Sequence, residues 1–545
     1  MTRIVLHGGE VVDGLGAGPR RADVAVEGGL ITAVGEIAPV PGDEILDARG
    51  RLILPGFVDA HSHVDGAVFR PEVQLALLRQ GVTTAIAGQD GVSYAPGDGG
   101  WATRYFAAIN GAHPTFRGGS VAALLRTYDA GLPLDVGYLV PAGTVRHEVM
   151  GMAERPPTDA ELAAMRRLVA EGLADGALGL SSGLDYVPGI FADPAELAAM
   201  CAPVAEAGGV YVTHMRGGYE TNTAAGLAEV AEIGRRSGVR VHVSHFHVAA
   251  DDGIRLVDAL LDEGIDVSYD MYPYTRGCTI LAMAVLPPSY SALEVDAAVA
   301  LLRDPAERAR LRRDWFPSVA DKPSLGPPWP TMIRIAHAPM TAQAEGRTLA
   351  ELAAAGVGGA APDGDVVAAT LDLLARNRLE VSAVMAVRDE RPVSDLGRLF
   401  AHPAHSGGSD GIFIGSAPHP RARGTFARFL GTYVRETGAL SWQDAARHLA
   451  AGPARRFGLH DRGTVTAGMR ADLAVVDPAV ATDRATYDDP TALAVGIDDV
   501  LVAGVPVLAG GALTGALPGG AARRTSTVSA ASPHHHPIER NPHAP

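Results

Sequence analysis

The chain has 545 residues, a formal net charge of −16, 47% hydrophobic residues and 20% charged residues. This length and apolar content predict a large buried core divided over more than one domain. The acidic charge argues against nucleic acid or an anionic membrane surface as the main partner.

The beginning of the sequence, Met1–Gly9, lacks the charged and then apolar pattern of a secretion leader. No apolar run reaches the roughly 20 residues that a membrane-spanning helix needs. The two cysteines, Cys201 and Cys278, are too few for a disulfide framework or a thiolate metal cage. We therefore expect a cytoplasmic protein that does not bind membranes.

Residues 1–54 contain short apolar stretches separated by glycine, several of which alternate apolar and polar side chains. This alternation is typical of half-buried antiparallel strands. A matching set returns in residues 456–518, including Asp472–Asp477 and Asp499–Val507. We predict that both chain ends together form one small β-sandwich.

Residues 55–455 have a different rhythm, in which helical stretches end in glycine and lead into apolar strands. For example, Gly176 precedes the stretch Ala177–Ser182, and Gly209 precedes Val210–His214. Glycine supplies the left-handed residue that ends many helices. Three capping-box patterns mark helix starts: Thr158-x-x-Glu161, Ser291-x-x-Glu294 and Thr348-x-x-Glu351.

Helices and strands that alternate at this spacing indicate a parallel sheet, either doubly wound or closed into a barrel. No glycine-rich dinucleotide fingerprint follows an early strand, which disfavours the doubly wound sheet. Polar residues instead follow the carboxyl ends of many strands, where barrel active sites lie. We therefore predict an α/β protein with a (β/α)8 TIM barrel.

Two segments depart from this rhythm. Residues from about 281 to 377 are helical and proline-rich, centred on Pro323–Pro330. We interpret them as an insertion after a barrel strand that could act as a lid. Residues 519–545 are rich in Arg, Ser, Pro and His, and we expect this tail to be disordered and without a catalytic role.

The polar residues at the strand ends form a candidate metal site. His61 and His63 end one strand and, because side chains alternate along a strand, point the same way. Any one such residue alone could be an ordinary hydrogen-bonded side chain, but six of them would converge at one barrel mouth. Imidazole and carboxylate suit zinc and similar divalent metals. The six residues are His61, His63, Asp90, His214, His245 and Asp410.

An ordered set of motifs over nearly the whole chain resembles the amidohydrolase superfamily, and within it the N-acyl-D-amino-acid deacylases, or D-aminoacylases. His-x-His alone is a weak signal, whereas the ordered set is a strong one. The motifs are Pro55–His63, Gly81–Thr84, Gly143–Arg146, Gly176–Leu184, Thr213–Arg216, Ser244–His245, Asp270–Tyr274, Ser409–Gly411, His419–Arg421 and Gly424–Phe426.

The resemblance implies that His61 and His63 bind one metal position and that His214 and His245 bind a second. It implies one or two zinc ions, with Asp410 as the catalytic acid and base. The reaction would cleave the amide bond of an N-acyl-D-amino acid to a carboxylate and a D-amino acid. This chemistry is physically consistent, because metal-bound water loses its proton near neutral pH and a nearby carboxylate can transfer that proton to the leaving nitrogen.

The resemblance also implies a site for the substrate carboxylate, where an arginine fork can form two parallel hydrogen bonds. At the position where family members often have a lysine, this chain has His247, which suggests altered carboxylate recognition. The expected partner is a small N-acyl amino acid or related amide. Whether the protein forms a homo-oligomer is left open by the sequence. The implied substrate residues are Arg421, Tyr272, Tyr274, Thr279 and His247.

One position departs from the family pattern. D-aminoacylases have a metal-contacting cysteine after the second strand, where this chain has Gly88-Gln89-Asp90-Gly91. A carboxylate is a harder ligand than a thiolate, so Mn²⁺ or another hard ion becomes an alternative to zinc. Asp90 could also bridge two metal ions.

The single lysine, Lys322, separates this chain from other branches of the superfamily. Hydantoinases and dihydroorotases bridge two metals with a carbamylated lysine on a barrel strand, but Lys322 lies in the predicted insertion. The missing strand-end lysine disfavours hydrolysis of cyclic amides, so hydrolysis of cyclic amides or other small amides and esters is the second hypothesis for the function. A third hypothesis is a barrel that binds metal or ligand without turnover, and Asp410 argues against it.

Overall fold

The computed structural model describes residues 2–219, 222–356, 364–388 and 390–525. Within this part of the chain there are 23 strands. They are β1 Ile4–His7, β2 Glu10–Val11, β3 Arg20–Arg21, β4 Asp23–Glu27, β5 Leu30–Gly35, β6 Glu44–Asp47, β7 Leu52–Pro55, β8 Phe57–Asp59, β9 Val82–Ala87, β10 Asp135–Pro141, β11 Gly179–Gly183, β12 Val210–His214, β13 Arg240–Val243, β14 Val267–Met271, β15 Gly277–Ile280, β16 Ile333–His337, β17 Ser382–Met385, β18 His405–Gly407, β19 Leu473–Val476, β20 Ile497–Val502, β21 Val505–Ala509, β22 Ala512–Leu513 and β23 Ala521–Ala522.

The same ranges contain 20 α-helices. No helix among the described residues is both long and apolar enough to cross a membrane. The 20 α-helices are α1 Pro71–Leu78, α2 Gly100–Tyr105, α3 Ala107–Asn110, α4 Val121–Asp129, α5 Ala142–Met150, α6 Asp159–Ala174, α7 Pro194–Glu206, α8 Thr223–Ser237, α9 Ala250–Asp262, α10 Leu281–Val285, α11 Val295–Arg303, α12 Pro305–Arg310, α13 Phe316–Ala320, α14 Trp329–Met332, α15 Leu349–Ala355, α16 Val366–Arg376, α17 Val393–Ala401, α18 Arg421–Arg428, α19 Trp442–Ala446 and α20 Gly452–Arg456.

Eight parallel strands form the barrel, in the order β8-β9-β10-β11-β12-β13-β14-β18. The first and last strands meet through backbone hydrogen bonds from Ala60 N–H to Gly407 O (3.1 Å) and from Asp410 N–H to His61 O (2.8 Å). The strands are buried on both faces, as expected where helices cover a parallel sheet. The predicted (β/α)8 barrel is confirmed.

Two smaller sheets form the predicted β-sandwich, which is also confirmed. One has the order β5-β4-β1-β6, and the other has the order β22-β21-β20-β19-β7-β2-β3. In the second sheet β19 pairs antiparallel with β7, so the two ends of the chain share one ladder. Apolar residues from both ends, including Leu6, Val24, Leu473 and Leu501, are buried together in one cluster.

The insertion lies between β14 and β18 and has its own antiparallel sheet, β15-β17-β16, over a separate apolar core. This sheet includes Gly277–Ile280 and Ser382–Met385, so the insertion extends beyond the predicted limits of 281 and 377 at both ends. Short strands that pair only with each other leave little trace in a local pattern, which explains the narrower prediction.

Two of the three predicted capping boxes form. Thr158 caps α6 and Thr348 caps α15, each with its glutamate bonded back to the cap residue. The prediction at Ser291 is wrong, because α11 begins only at Val295. Ser291 instead ends a short 3-10 turn and lies too far before the helix to cap it.

Regular secondary structure continues beyond residue 518. β23 pairs parallel with the beginning of β10, and Gly520 N–H donates to Asp135 Oδ1 at 2.9 Å. The prediction of disorder is therefore wrong for residues 519–525. The rest of that predicted tail, 526–545, lies outside the described residues.

Removing residues 519–545 should lower Tm by about 3–5 °C, whereas removing 526–545 should leave it within about 1 °C. The longer deletion removes β23, the Gly520 hydrogen bond and the ion pair between Arg523 and Asp129. Differential scanning calorimetry of both truncated proteins would measure this. Equal Tm values for the two would contradict a structural role for residues 519–525.

Candidate active site

The six predicted metal and acid/base residues lie at the carboxyl ends of barrel strands, at one mouth of the barrel. His61 and His63 follow β8, while His214 is the last residue of β12. All six residues are at most 9% exposed, so this is an enclosed polar cluster. The other three residues lie just beyond their strands: Asp90 after β9, His245 after β13 and Asp410 after β18.

Two groups of three residues in this cluster share His61. His61, Asp90 and His245 form one group, and His61, His63 and Asp410 form the other. In each group the ligand atoms lie within 4.8 Å of one another. Asp90 also connects the groups, because its Oδ2 lies 3.6 Å from His63 Nε2 while its Oδ1 lies 3.7 Å from both His61 Nε2 and His245 Nε2.

His214 joins the cluster through His245. Its Nδ1 lies 3.1 Å from His245 Nε2, and its Nε2 lies 3.2 Å from Asp185 Oδ2. When His214 Nε2–H donates to Asp185, Nδ1 is left with a lone pair toward His245. In this tautomer His214 Nδ1 can bind a metal ion at the same place as His245 Nε2.

Three of these residues have left-handed backbone conformations: Asp90 (φ 56°), His245 (φ 34°) and Asp410 (φ 47°). Positive φ values are uncommon outside glycine and cost free energy, so they persist where the surrounding structure imposes them. Each of these residues directly follows a barrel strand or lies in a short turn after it. The sharp turn aims the side chain back over the barrel mouth.

Asp410 lies between the histidines and a buried arginine. Its Oδ1 is 3.3 Å from His63 Nε2, and its Oδ2 is 2.9 Å from the Arg421 guanidinium. Burial alone would raise the pKa of Asp410, but the charge of Arg421 and the hydrogen bond with His63 outweigh burial and lower it. Asp410 is therefore ionised at neutral pH and can accept a proton.

The donor atoms of the cluster fit a divalent cation. His61 Nε2 and Asp90 Oδ1 are buried and have no hydrogen-bond partner among the described residues. The carboxylates also favour positive charge at this point: burial alone would lower the pKa of His63, yet Asp410 and Asp90 raise it to about 10. Imidazole nitrogens and carboxylate oxygens are the ligands that zinc and manganese accept.

Three supporting residues were not among the predicted site residues. Asp270 Oδ2 lies 3.4 Å from His61 Nδ1, and Asp270 Oδ1 accepts the His245 backbone N–H at 2.9 Å. Asn110 Oδ1 lies 3.1 Å from His63 Nδ1, and Asp185 contacts His214 as described above. Such partners fix the ring orientation of metal-binding histidines.

The three supporting residues differ in how clearly the sequence indicates them. Asp270 lies in β14 near its carboxyl end, so the strand-end criterion that selected the metal residues also fits it. Asp185 comes two residues after β11 and carries a weaker form of the same signal. Asn110 ends the short helix α3 and has no local signal.

Three of the predicted substrate residues form a continuous wall. The Tyr272 ring lies 4.4 Å from the Arg421 guanidinium carbon and 4.2 Å from the centre of the His247 ring. Arg421 is fully buried, and its Nε and one terminal nitrogen have no hydrogen-bond partner among the described residues. The wall therefore offers free N–H donors beside Asp410.

The remaining two predicted substrate residues are placed differently. The Thr279 hydroxyl lies 3.4 Å from the Tyr186 hydroxyl, and the Tyr186 ring packs against His214, so Thr279 borders the cluster. Tyr274 donates its hydroxyl to Asp483 Oδ2 at 3.0 Å and packs under Arg428. The Tyr274 hydroxyl is therefore already hydrogen-bonded to Asp483, which belongs to the C-terminal segment of the sandwich domain.

Lys322 lies in the insertion, where its ammonium donates to Ala284 O at 2.8 Å. It follows α13 and does not lie at a barrel strand end. The structure therefore places the single lysine away from the metal-type cluster, which is the enclosed polar cluster of six residues described above, as expected from the sequence.

A parallel barrel that gathers histidine and aspartate donors at its carboxyl mouth defines a protein of the metal-dependent barrel class. Residues 44–508 match the model of the amidohydrolase family. The chain belongs to the amidohydrolase family.

Characterised relatives match almost the entire chain. The N-acyl-D-glutamate deacylase of Alcaligenes xylosoxydans xylosoxydans is 34% identical over 513 residues, covering 92% of this chain and 93% of the relative. The D-aminoacylase of the same organism is 32% identical, covering 96% and 98%. A crystal structure of N-acyl-D-glutamate deacylase from Bordetella bronchiseptica, complexed with zinc and a phosphonate inhibitor, is similar with a TM-score of 0.79, 31% identity and coverage of 96% and 99%.

Proposed function

We propose that this protein is a metal-dependent amidase that cleaves N-acyl-D-amino acids to a carboxylate and a D-amino acid. The observation that carries the proposal is that the two His/Asp groups share His61, and that Asp410, a member of one group, lies next to the free donors of Arg421. The deacylase activities named for relatives of 31–34% identity support the same reaction.

His61, His63, Asp90, His214 and His245 would hold the metal. A divalent ion bound there would polarise the scissile carbonyl and lower the pKa of a nearby water. The buried histidines are held in orientation by Asp270, Asn110 and Asp185. The arrangement is preorganised, so little reorientation is needed when substrate enters.

Asp410 acts as the general base and then as the general acid. Its Oδ1 faces the histidines and takes a proton from the attacking water, while Arg421 holds its Oδ2. The same carboxyl then returns the proton to the leaving nitrogen of the D-amino acid. The Asp410–Arg421 contact keeps the carboxyl oriented through both steps.

Zinc is the ion that we propose, in agreement with the zinc named for the Bordetella deacylase. Asp90 adds a hard oxygen donor between His61 of one group and His63 of the other, so manganese is an alternative. If two ions bind, Asp90 would be within reach of both groups, since its two oxygens lie 3.7 Å from His61 Nε2 and 3.6 Å from His63 Nε2.

The test is hydrolysis of N-acetyl-D-amino acids and N-acetyl-L-amino acids by the purified protein supplied with zinc or manganese. We expect turnover of D substrates only. No turnover of either series with metal bound would contradict the proposal. Cyclic amides and small esters would then be tested, since they are the alternative substrates of this superfamily.

Arg421→Ala should raise KM for N-acyl-D-amino acids by more than about tenfold, because the substrate carboxylate loses a charged donor. Arg423→Ala, two residues further along α18, is the matched control and should leave KM unchanged. Steady-state kinetics on a D substrate would measure both. An unaffected KM in Arg421→Ala would remove Arg421 from the substrate site.

A further inference from the structure

We propose that Arg391, at the end of the insertion, is a positioning residue that makes His247 a substrate-binding donor. The inference rests on the proposed function, since the bound group is the carboxylate of the N-acyl-D-amino acid. Arg391 precedes α17 and reaches back to the loop that follows β13.

The guanidinium of Arg391 holds this loop at two points. One terminal nitrogen lies 2.9 Å from His247 Nδ1, and the other donates to the backbone carbonyl of Val248. Asp395, in the first turn of α17, lies 4.0 Å from the guanidinium. Arg391 thus connects the end of the insertion to the residue next to the metal-type cluster.

The contact with Arg391 decides which nitrogen of His247 carries the hydrogen. Arginine has only N–H donors and no acceptor, so His247 Nδ1 must accept with its lone pair. The ring hydrogen then resides on Nε2, which becomes a donor. Nε2 is buried and has no hydrogen-bond partner among the described residues.

This donor lies in the wall that already contains Arg421. The His247 ring contacts Tyr272 at 4.2 Å, and Tyr272 in turn contacts the Arg421 guanidinium at 4.4 Å. His247 Nε2–H and the unpaired nitrogens of Arg421 are therefore buried donors without partners among the described residues, and both side chains contact Tyr272. A carboxylate is the chemical group that satisfies several such donors at once.

The arrangement explains how the chain can manage without a lysine at position 247. A lysine there would present a flexible ammonium, whereas His247 presents one N–H whose direction is fixed by its ring. The contact with Arg391 keeps the ring hydrogen of His247 on Nε2. Without Arg391 the ring could carry its hydrogen on Nδ1, and Nε2 would then be an acceptor facing a carboxylate.

The test is a double-mutant cycle between Arg391 and His247, measured by kcat and KM on an N-acetyl-D-amino acid. Arg391→Ala should raise KM about tenfold while kcat changes less than about threefold. His247→Gln keeps an N–H near the Nε2 position without a tautomer to fix. In that background Arg391→Ala should change KM by less than about twofold.

Two controls complete the cycle. Arg398→Ala removes an exposed arginine from α17, where it pairs with Asp251, and should change neither constant. Arg391→Lys keeps the charge but cannot hold both His247 and Val248, so its KM should lie between those of wild type and Arg391→Ala. An equal rise of KM in both backgrounds, or a fall in kcat with loss of metal, would overturn the proposal.

A spectroscopic measurement tests the pair without turnover. In ¹⁵N-histidine-labelled protein loaded with zinc, the ring nitrogens of His247 can be assigned by their loss in His247→Gln. A hydrogen on Nε2 supports the proposal, and a hydrogen on Nδ1 overturns it. If no N-acyl-D-amino acid is hydrolysed by wild type, the proposed function fails while this spectrum still decides the Arg391–His247 contact.

Discussion

An Asp410→Asn variant should lose about 10²- to 10⁴-fold in kcat on N-acyl-D-amino acids and keep its metal content. Asparagine has nearly the same shape as aspartate and tolerates the left-handed backbone of this position (φ 47°). It cannot take a proton from water, and it cannot return one to the leaving nitrogen. The loss should therefore appear in kcat with little change in KM.

Metal analysis separates the two roles that Asp410 could have. Asp410 also belongs to a group with His61 and His63, so a ligand role would reduce bound metal in the variant. Asp251→Asn, an exposed carboxylate paired with Arg398, is the control for a charge change and should behave like wild type. A variant that retains kcat would show that another residue transfers the proton.

The second large effect is expected at Asp90. Asp90→Ala should lower the bound metal by at least one ion per chain, because Asp90 lies between His61, His63 and His245. Loss of an outer hydrogen-bond partner of a metal ligand already costs about 10- to 100-fold in affinity or activity, so loss of a ligand should cost more. Elemental analysis of the purified proteins would measure the metal.

Two further variants show whether charge or backbone causes the effect. Asp90→Asn keeps the shape and tolerates φ of 56°, so metal loss in this variant would come from the missing negative charge. Asp90→Cys introduces the thiolate that D-aminoacylases have here, and should favour zinc over manganese relative to wild type. Unchanged metal content in Asp90→Ala and Asp90→Asn would contradict a ligand role.

The barrel and the metal-type cluster were accessible from the sequence because their signals are local. Each strand is a short apolar run after a glycine, and the polar residue that follows it marks the mouth. His61 and His63 show this most clearly, since strand alternation alone places them on one side. The chemistry of the candidate site therefore depends on positions that can be read one strand at a time.

The contacts that organise the site were less accessible. Asp270 meets His61 only because the barrel brings β14 near β8, and Asn110 meets His63 from a short helix outside the strand pattern. Arg391 reaches His247 across the whole insertion. Contacts between residues so far apart in sequence follow from closure of the barrel, and a local pattern does not contain them.

The pairing of β23 with β10 also determines how the protein could be attached to a surface. Ala521 pairs with Val136, and Pro141 at the mouth end of β10 lies five residues further, or about 16 Å along the strand. The last described residues thus leave the barrel on the side away from the candidate site. A support coupled at residue 525 would hold the enzyme with its mouth toward the solution, so immobilised protein should keep its access to substrate.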